Sequence, residues 1–77
     1  MQKTLIHLKK GEKARVCGFL DGAAMRLKLE GMGIREGKII SRVSSQILGG
    51  PVIVSVDGRH TAMGRSIASK IMVESDI

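Results

Sequence analysis

The sequence predicts a small, mainly β domain with one inserted α-helix, folded as a partly open barrel of about five short strands. Two segments, ARVCGF and VIVSV, have the period of two that half-buried strands show. A third segment has apolar residues at helical spacing, and one Asp-Gly pair marks a tight hairpin. Because 77 residues suffice for one small domain only, we assign residues 1–77 to a single unit.

The first half of the chain supplies one strand and the helix. ARVCGF places Ala14, Val16 and Gly18 on one face of a strand. The period then changes, and Met25, Leu29 and Met32 fall at i, i+4 and i+7, which predicts a helix of about three turns. Asp21 precedes this segment and is a suitable helix N-cap.

The glycines of GMGIREG, residues 31–37, have a conformational explanation. Gly33 suits the left-handed position that follows a helix, and Ile34 would then contact Leu29 as in a Schellman ending. Gly37 suits a tight turn that leads into the strand KIISRVS. A phosphate-binding Walker loop is excluded, because the spacing is one residue short, Lys38 is followed by no Ser or Thr, and the helix comes before the loop.

The second half is predicted to be strands and turns. Gly49 and Pro51 lie in a loop before the strand VIVSV, and Asp57-Gly58 predicts a type I′ turn between VIVSV and its partner RHTAM. GRSIASK is too short for more than one helical turn, and IMVE forms the last strand.

Charge and composition restrict the class of partner and the compartment. The formal net charge of +6 favours a nucleic acid, an anionic membrane surface or an acidic protein face. A single cysteine allows no intrachain disulfide and fits a reducing compartment. No apolar stretch is long enough for a signal peptide or a membrane span, so we expect a cytoplasmic protein without direct membrane insertion.

Residues that could support chemistry are present but not placed by a motif. His7, Cys17 and His60 could meet in space as metal ligands, yet no metal-ligand spacing relates them. No nucleophile has a nearby base, and no pair of carboxylates is placed for acid–base catalysis. We therefore expect no catalytic residue, no cofactor and no dedicated metal site. Four methionines are best explained as core filling: Met25, Met32, Met63 and Met72.

Three segments together resemble the FeoA family of bacterial ferrous iron uptake: RLKLEGMGIREGKII, LGGPVIVSV and AMGRSIASKIMVE. The resemblance extends over nearly the whole chain and implies an SH3-like barrel. Glu36 stands where the family usually has proline and Gly50 where it often has aspartate, which loosens two loops. The matching positions are Leu29, Met32, Gly33, Ile34, Gly37, Gly49, Pro51, Ala68, Ile71 and Val73.

The resemblance also implies a function and a partner. It suggests a non-catalytic accessory protein that acts on the cytosolic region of the membrane iron transporter FeoB, where the GTPase activity resides. The predicted partner-binding residues are Arg26 and Glu30 on the helix, Arg35 at the turn, and Arg42 on an outward strand position.

Two alternatives remain open at this stage. A small basic RNA-binding barrel fits the charge, although Phe19 is the only aromatic residue and base stacking needs aromatic rings, so specific nucleic-acid binding is not expected. A transition-metal-binding domain is the second alternative.

Overall fold

The structure is a computed structural model that describes residues 1–20, 22–43 and 50–75. The longer helix is α1 (Ala23–Gly31), α2 (Arg65–Ala68) is a single turn, and Leu5–His7 form a 3₁₀ turn. The strands are β1 (Gln2–Thr4), β2 (Lys13–Phe19), β3 (Ile39–Arg42), β4 (Val52–Val56), β5 (Arg59–Met63) and β6 (Ile71–Glu74).

The six strands of the described residues belong to one antiparallel sheet in the order β1-β6-β2-β3-β4-β5. The predicted class, mainly β with one inserted helix, is confirmed, but the sequence predicted about five strands. The additional strand, β1, is three polar residues long, so it carries no alternating apolar pattern. Its conformation is set by its pairing with β6, from Gln2 opposite Glu74 to Thr4 opposite Met72.

The buried apolar side chains of the described residues form one cluster inside the barrel. Val52, Val54 and Val56 of β4 are buried while the residues between them are half-buried, so the predicted alternation is confirmed. Leu29 of α1 is also fully buried. The remaining members of the core are Leu5, Leu8, Ala14, Val16, Ile34, Ile40, Met63, Ala68, Ile71 and Val73.

The pairing of β2 with β6 is interrupted at Cys17. Val16 lies opposite Val73 and Gly18 lies opposite Met72, so Cys17 has no residue opposite it. This β-bulge bends the strand and changes the strict alternation that the sequence predicts for ARVCGF. The bend lies where β2 leads towards α1.

Helix α1 ends in a complete Schellman motif. The backbone N–H of Ile34 donates to Leu29 O at 2.9 Å, and that of Gly33 donates to Glu30 O at 3.0 Å. Gly33 has a φ of +88°, the left-handed conformation that the sequence predicts for it.

Two further turns fix the strand connections. The N–H of Lys38 donates to Arg35 O at 3.1 Å, and Gly37 within this turn has a φ of +92°. Asp57 and Gly58 have φ values of +52° and +79°, the signs that a type I′ turn requires at both central residues. Pro51 lies exposed directly before β4, whereas Gly49 and the predicted cap Asp21 lie outside the described residues.

Candidate functional site

The loop Gly33–Gly37 follows α1 and lies at the centre of a cluster of arginines. Arg35 belongs to the loop and is exposed. Arg26, one of the predicted partner-binding residues, reaches the loop from α1, because its Nη2 lies 2.9 Å from Oε1 of Glu36. We call Arg26, Arg35 and Arg59 the basic loop surface.

Arg59 is the member that sequence analysis did not identify. It begins β5, directly after the Asp57-Gly58 turn, and is exposed. Its Nη2 lies 3.3 Å from the position that a Cβ atom on Gly33 would occupy, so the guanidinium lies against the end of α1. This position suits a cation, since a helix C-terminus carries partial negative charge. The pairing of the hairpin with β3 brings these residues together, and no local pattern at Arg59 indicates it.

The basic side chains in and next to this surface differ in whether they already form an ion pair. Arg26 and Glu36 pair with each other while each side chain is about half exposed, and Lys38 Nζ pairs with Asp57 Oδ2 at 2.8 Å. Within the described part of the chain, neither Arg35 nor Arg59 forms an ion pair. These two guanidinium groups therefore remain free to meet an external anion.

Glu30, the predicted acidic member of the partner-binding set, lies in the last turn of α1 and is partly exposed. Its carbonyl oxygen accepts the backbone N–H of Gly33 in the helix ending. The predicted residues Arg26, Glu30 and Arg35 thus all lie on α1 or on the loop that follows it.

Arg42 does not belong to this surface, and its predicted outward position is wrong. The residue is only 7% exposed, and its Nη1 donates to the carbonyl oxygens of Ile6 and Leu8, each at 2.9 Å. Arg42 shares a face of β3 with the fully buried Ile40, two residues earlier, and this spacing was the available signal. Its role is to hold the 3₁₀ turn against the sheet.

The only aromatic side chain of the sequence, Phe19, already has a cation over its ring. Phe19 is half-buried against the core, and the guanidinium carbon of Arg26 lies 5.4 Å from the centroid of its ring. This cation–π contact covers the ring and helps to hold Arg26 over the end of β2. A base could stack on Phe19 only by displacing Arg26.

An open depression lies at the other end of α1. Its lining is Gly22, Ala23, Ala24, Met25 and Lys28. Among its described lining residues, Lys28 is the only one with an ionisable side chain, and no second group is placed beside it for acid–base or nucleophilic chemistry.

The candidate metal ligands do not form a site among the described residues. In residues 1–20, 22–43 and 50–75, no group of three or more His, Cys, Asp or Glu side chains is arranged to hold a metal ion. His7 and His60 are exposed. Burial, and after it the carboxylate of Glu74, raises the pKa of the Cys17 thiol, which opposes formation of the reactive thiolate.

One observation bears on the membrane. No helix in the described part of the chain is long and apolar enough to cross a lipid bilayer.

Comparisons with known proteins agree with this fold. The FeoA domain family matches residues 3–75. A curated relative named "Putative Fe(2+) transport protein A", from Methanocaldococcus jannaschii, is 39% identical over 70 residues, covering 91% of this chain and 83% of that protein.

Solved structures of FeoA proteins have the same fold as this chain. The crystal structure of an iron uptake regulatory protein (FeoA) is 35% identical with a TM-score of 0.87, and 96% of each chain is covered. The NMR structure of a FeoA-like protein from Clostridium acetobutylicum is 25% identical with a TM-score of 0.85, covering 99% of this chain and 88% of that one. The predicted SH3-like barrel is confirmed by this likeness.

Proposed function

Because this chain belongs to the FeoA domain family, we propose that it is a non-catalytic accessory protein of ferrous iron transport that docks on the cytosolic region of a FeoB-type membrane transporter. The observation that carries the proposal is the match over residues 3–75, together with the iron transport name of a relative 39% identical to the chain. On this proposal the protein acts in the cytoplasm as a single domain.

The chemistry of the described residues supports an interaction role. The thiol of Cys17 is partly buried with a raised pKa, and no base is placed to activate it. Any nucleotide hydrolysis in the system is therefore assigned to the partner, whose family includes a GTPase region.

The basic loop surface is the proposed docking face. Arg35 and Arg59 are exposed and unpaired within the described residues, so they can form new ion pairs without breaking existing ones. Arg26 is already held over Phe19, so its side chain loses less conformational entropy when a partner binds. Since arginine binds carboxylates through two parallel hydrogen bonds, the fitting partner is an acidic protein face. On this proposal Glu30, four residues after Arg26 on α1, adds an acidic group to the docking face.

A binding measurement tests the face directly. The purified chain is titrated with the isolated cytosolic region of FeoB, as wild type and as the double variant Arg35→Glu with Arg59→Glu. We expect the double variant to bind at least tenfold more weakly, because two attractive contacts become repulsive. We also expect wild-type affinity to fall as salt is raised.

The matched control carries the same change of charge elsewhere. Lys13 is the first residue of β2 and Lys10 precedes the strand; both are exposed, and neither belongs to the basic loop surface. The variant Lys10→Glu with Lys13→Glu should keep most of the affinity. Equal losses in the two double variants would assign the effect to net charge and reject the docking face.

Ferrous iron uptake in cells tests the function separately. Cells that lack the gene should take up less ferrous iron, and wild-type protein should restore uptake while the Arg35→Glu, Arg59→Glu variant should not. Normal uptake without the gene would contradict the proposed function. Full rescue by the double variant would contradict the docking face alone.

The RNA-binding alternative receives no support from the aromatic residue, because Arg26 covers the ring of Phe19. Any RNA binding should therefore depend on phosphate contacts, be indifferent to sequence and be largely lost by about 0.2 M salt. Tight binding that discriminates between oligonucleotides at that salt would favour the RNA-binding function instead.

A further inference from the structure

Strand β5 forms one edge of the sheet, with β4 as its neighbour on the other side. Its pairing with β4 is regular over five residues, from Arg59 opposite Val56 to Met63 opposite Val52, without a bulge or a proline. The other edge strand, β1, has three residues and carries Lys3. Natural edges are usually shortened, bulged or blocked by charges, and β5, whose single arginine lies at its first residue, is the longer of the two edges and the one left open to pairing.

The geometry of the β4–β5 hairpin determines which backbone N–H and C=O groups of β5 form no hydrogen bond with β4. The two-residue turn closes on a hydrogen-bonded pair, Val56 with Arg59, and such pairs alternate along an antiparallel ladder. Ile53 confirms the alternation, since its carbonyl oxygen accepts the N–H of Val43 at 2.8 Å, on the side of β4 away from β5. The N–H and C=O groups of His60 and Ala62 therefore point away from β4.

These four groups are accessible. His60 and Ala62 are both exposed, and within residues 1–20, 22–43 and 50–75 no hydrogen bond is made by their outward backbone groups.

We propose that this edge pairs with the same edge of a second copy of the chain, the two β5 strands running antiparallel about a twofold axis beside Thr61. In this register His60 of each copy lies opposite Ala62 of the other, and each such pair exchanges two N–H···O bonds. All four outward groups of each copy are then satisfied. A register centred on His60 would satisfy only the two groups of that residue, so the strand is complementary to itself in one register.

The side chains are compatible with the twofold arrangement. Thr61 lies opposite Thr61 of the second copy, a cross-strand pair that stabilises sheets. Arg59 lies opposite Met63, so the two Arg59 residues are separated by about 13 Å along the strands. This distance exceeds the Debye length of about 10 Å at 0.1 M salt, which screens their repulsion.

Salt dependence distinguishes this pairing from docking on an acidic partner. Each copy has a formal net charge of +6, so two copies repel each other and association should strengthen as salt is raised. The pairing does not depend on the proposed role in iron transport.

Sedimentation equilibrium of the purified chain, from micromolar to millimolar concentration, tests the pairing. We expect the weight-average mass to rise from 8.3 kDa towards twice that value, at lower concentrations in high salt than in low salt. A mass that stays at one chain at millimolar concentration and high salt would overturn the proposal.

Two variants locate the interface. Ala62→Pro removes an outward N–H that the β4 ladder does not use, and edge positions of this kind tolerate proline. We expect this variant to stay monomeric, whereas Ala62→Ser keeps the N–H and should associate like wild type. Equal association of the two variants would overturn the assignment to β5.

Hydrogen exchange on the wild-type chain gives a test that is independent of whether Ala62→Pro folds. The amides of His60 and Ala62 should exchange several-fold more slowly as concentration rises, while the amide of exposed Lys10 should not change. Exchange at His60 and Ala62 that does not depend on concentration, in a sample shown to be dimeric, would also overturn the proposal.

Discussion

Ile34 donates its backbone N–H to the carbonyl oxygen of Leu29 at 2.9 Å, and the side chains of both residues are fully buried. This pair joins the end of α1 to the core through a hydrogen bond and an apolar contact. The chain can turn back sharply enough to make both only because Gly33, between them, is left-handed.

The first prediction concerns Gly33. Gly33→Ala should lower the free energy of unfolding by about 1–2 kcal/mol, because a Cβ atom is strained at a φ of +88°. The same Cβ would meet Arg59 Nη2 at 3.3 Å. Gly31→Ala is the matched control. Gly31 is the last residue of α1, and a Cβ atom there would have nothing within 4 Å. Alanine at this position should raise the free energy of unfolding by up to about 1 kcal/mol. Urea unfolding of both variants measures the difference, and equal midpoints would contradict it.

The second prediction concerns the buried Arg42. Arg42→Met should lower the free energy of unfolding by about 3 kcal/mol, because the carbonyl oxygens of Ile6 and Leu8 would lose a charged donor in a buried setting. Arg35→Met, at an exposed position, should change stability by no more than about 0.5 kcal/mol. Chemical denaturation of the two variants is the measurement. Similar stabilities would show that the two hydrogen bonds contribute little.

The third prediction concerns stability at acid pH. The backbone N–H of Lys9 and then the ammonium of Lys3 hold the pKa of Glu12 below its ordinary value of 4.5, with hydrogen bonds of 2.9 Å each. Because the folded pKa is the lower one, the stabilisation is complete above the unfolded pKa and is lost as pH falls through the folded pKa. Glu12→Gln should therefore be less stable than wild type at neutral pH, and the gap should close in strong acid. A gap that is constant with pH in urea melts would exclude this linkage.

The fourth prediction concerns Cys17. Burial and the carboxylate of Glu74 raise the pKa of its thiol above the ordinary 9.0, so little thiolate is present at mildly alkaline pH. Alkylation by iodoacetamide should be several-fold slower in the folded protein than in protein unfolded by urea. A folded protein that reacts faster would indicate an activated thiol and reopen the question of catalysis.

The fifth prediction concerns metal ions. Since the described residues contain no group of three candidate ligands, titration of the reduced protein with Fe(II) or Zn(II) should reveal no one-to-one site of submicromolar affinity. Isothermal titration calorimetry is the measurement. Such a site would mean that ligands converge in a way that neither spacing nor geometry indicates.

Features that depend on neighbouring residues were predictable from the sequence. The Asp57-Gly58 turn and the end of α1 at Gly33 each follow from the conformation that a few consecutive residues can adopt. The burial of alternate residues in β4 follows from its period in the same way.

Features that depend on distant partners were not predictable. Strand β1 forms because its backbone pairs with β6, some seventy residues later in the chain. The bulge at Cys17 likewise arises in the pairing of β2 with β6. In the candidate site, Arg26 and Arg35 could be proposed from the sequence. Arg59 could not, because its contact with the end of α1 depends on how the hairpin packs. Arg42 is buried, contrary to the outward position that its charge suggests, because its guanidinium finds backbone carbonyl acceptors far away in the sequence.

The position of β6 between β1 and β2 has a consequence for the order in which the strands can assemble. Strands β2, β3 and β4 each pair with the strand that follows them in the chain, so β2 to β5 can form a meander without β6. Strand β1 pairs only with β6, the last strand of the described residues in chain order, so it has no partner until β6 is in place. Closing this contact brings together residues far apart in sequence, which slows folding. The chain therefore carries an unpaired first strand until β6 joins the sheet, so a chain truncated directly before Ile71 should be protease-sensitive, with a core that is still open.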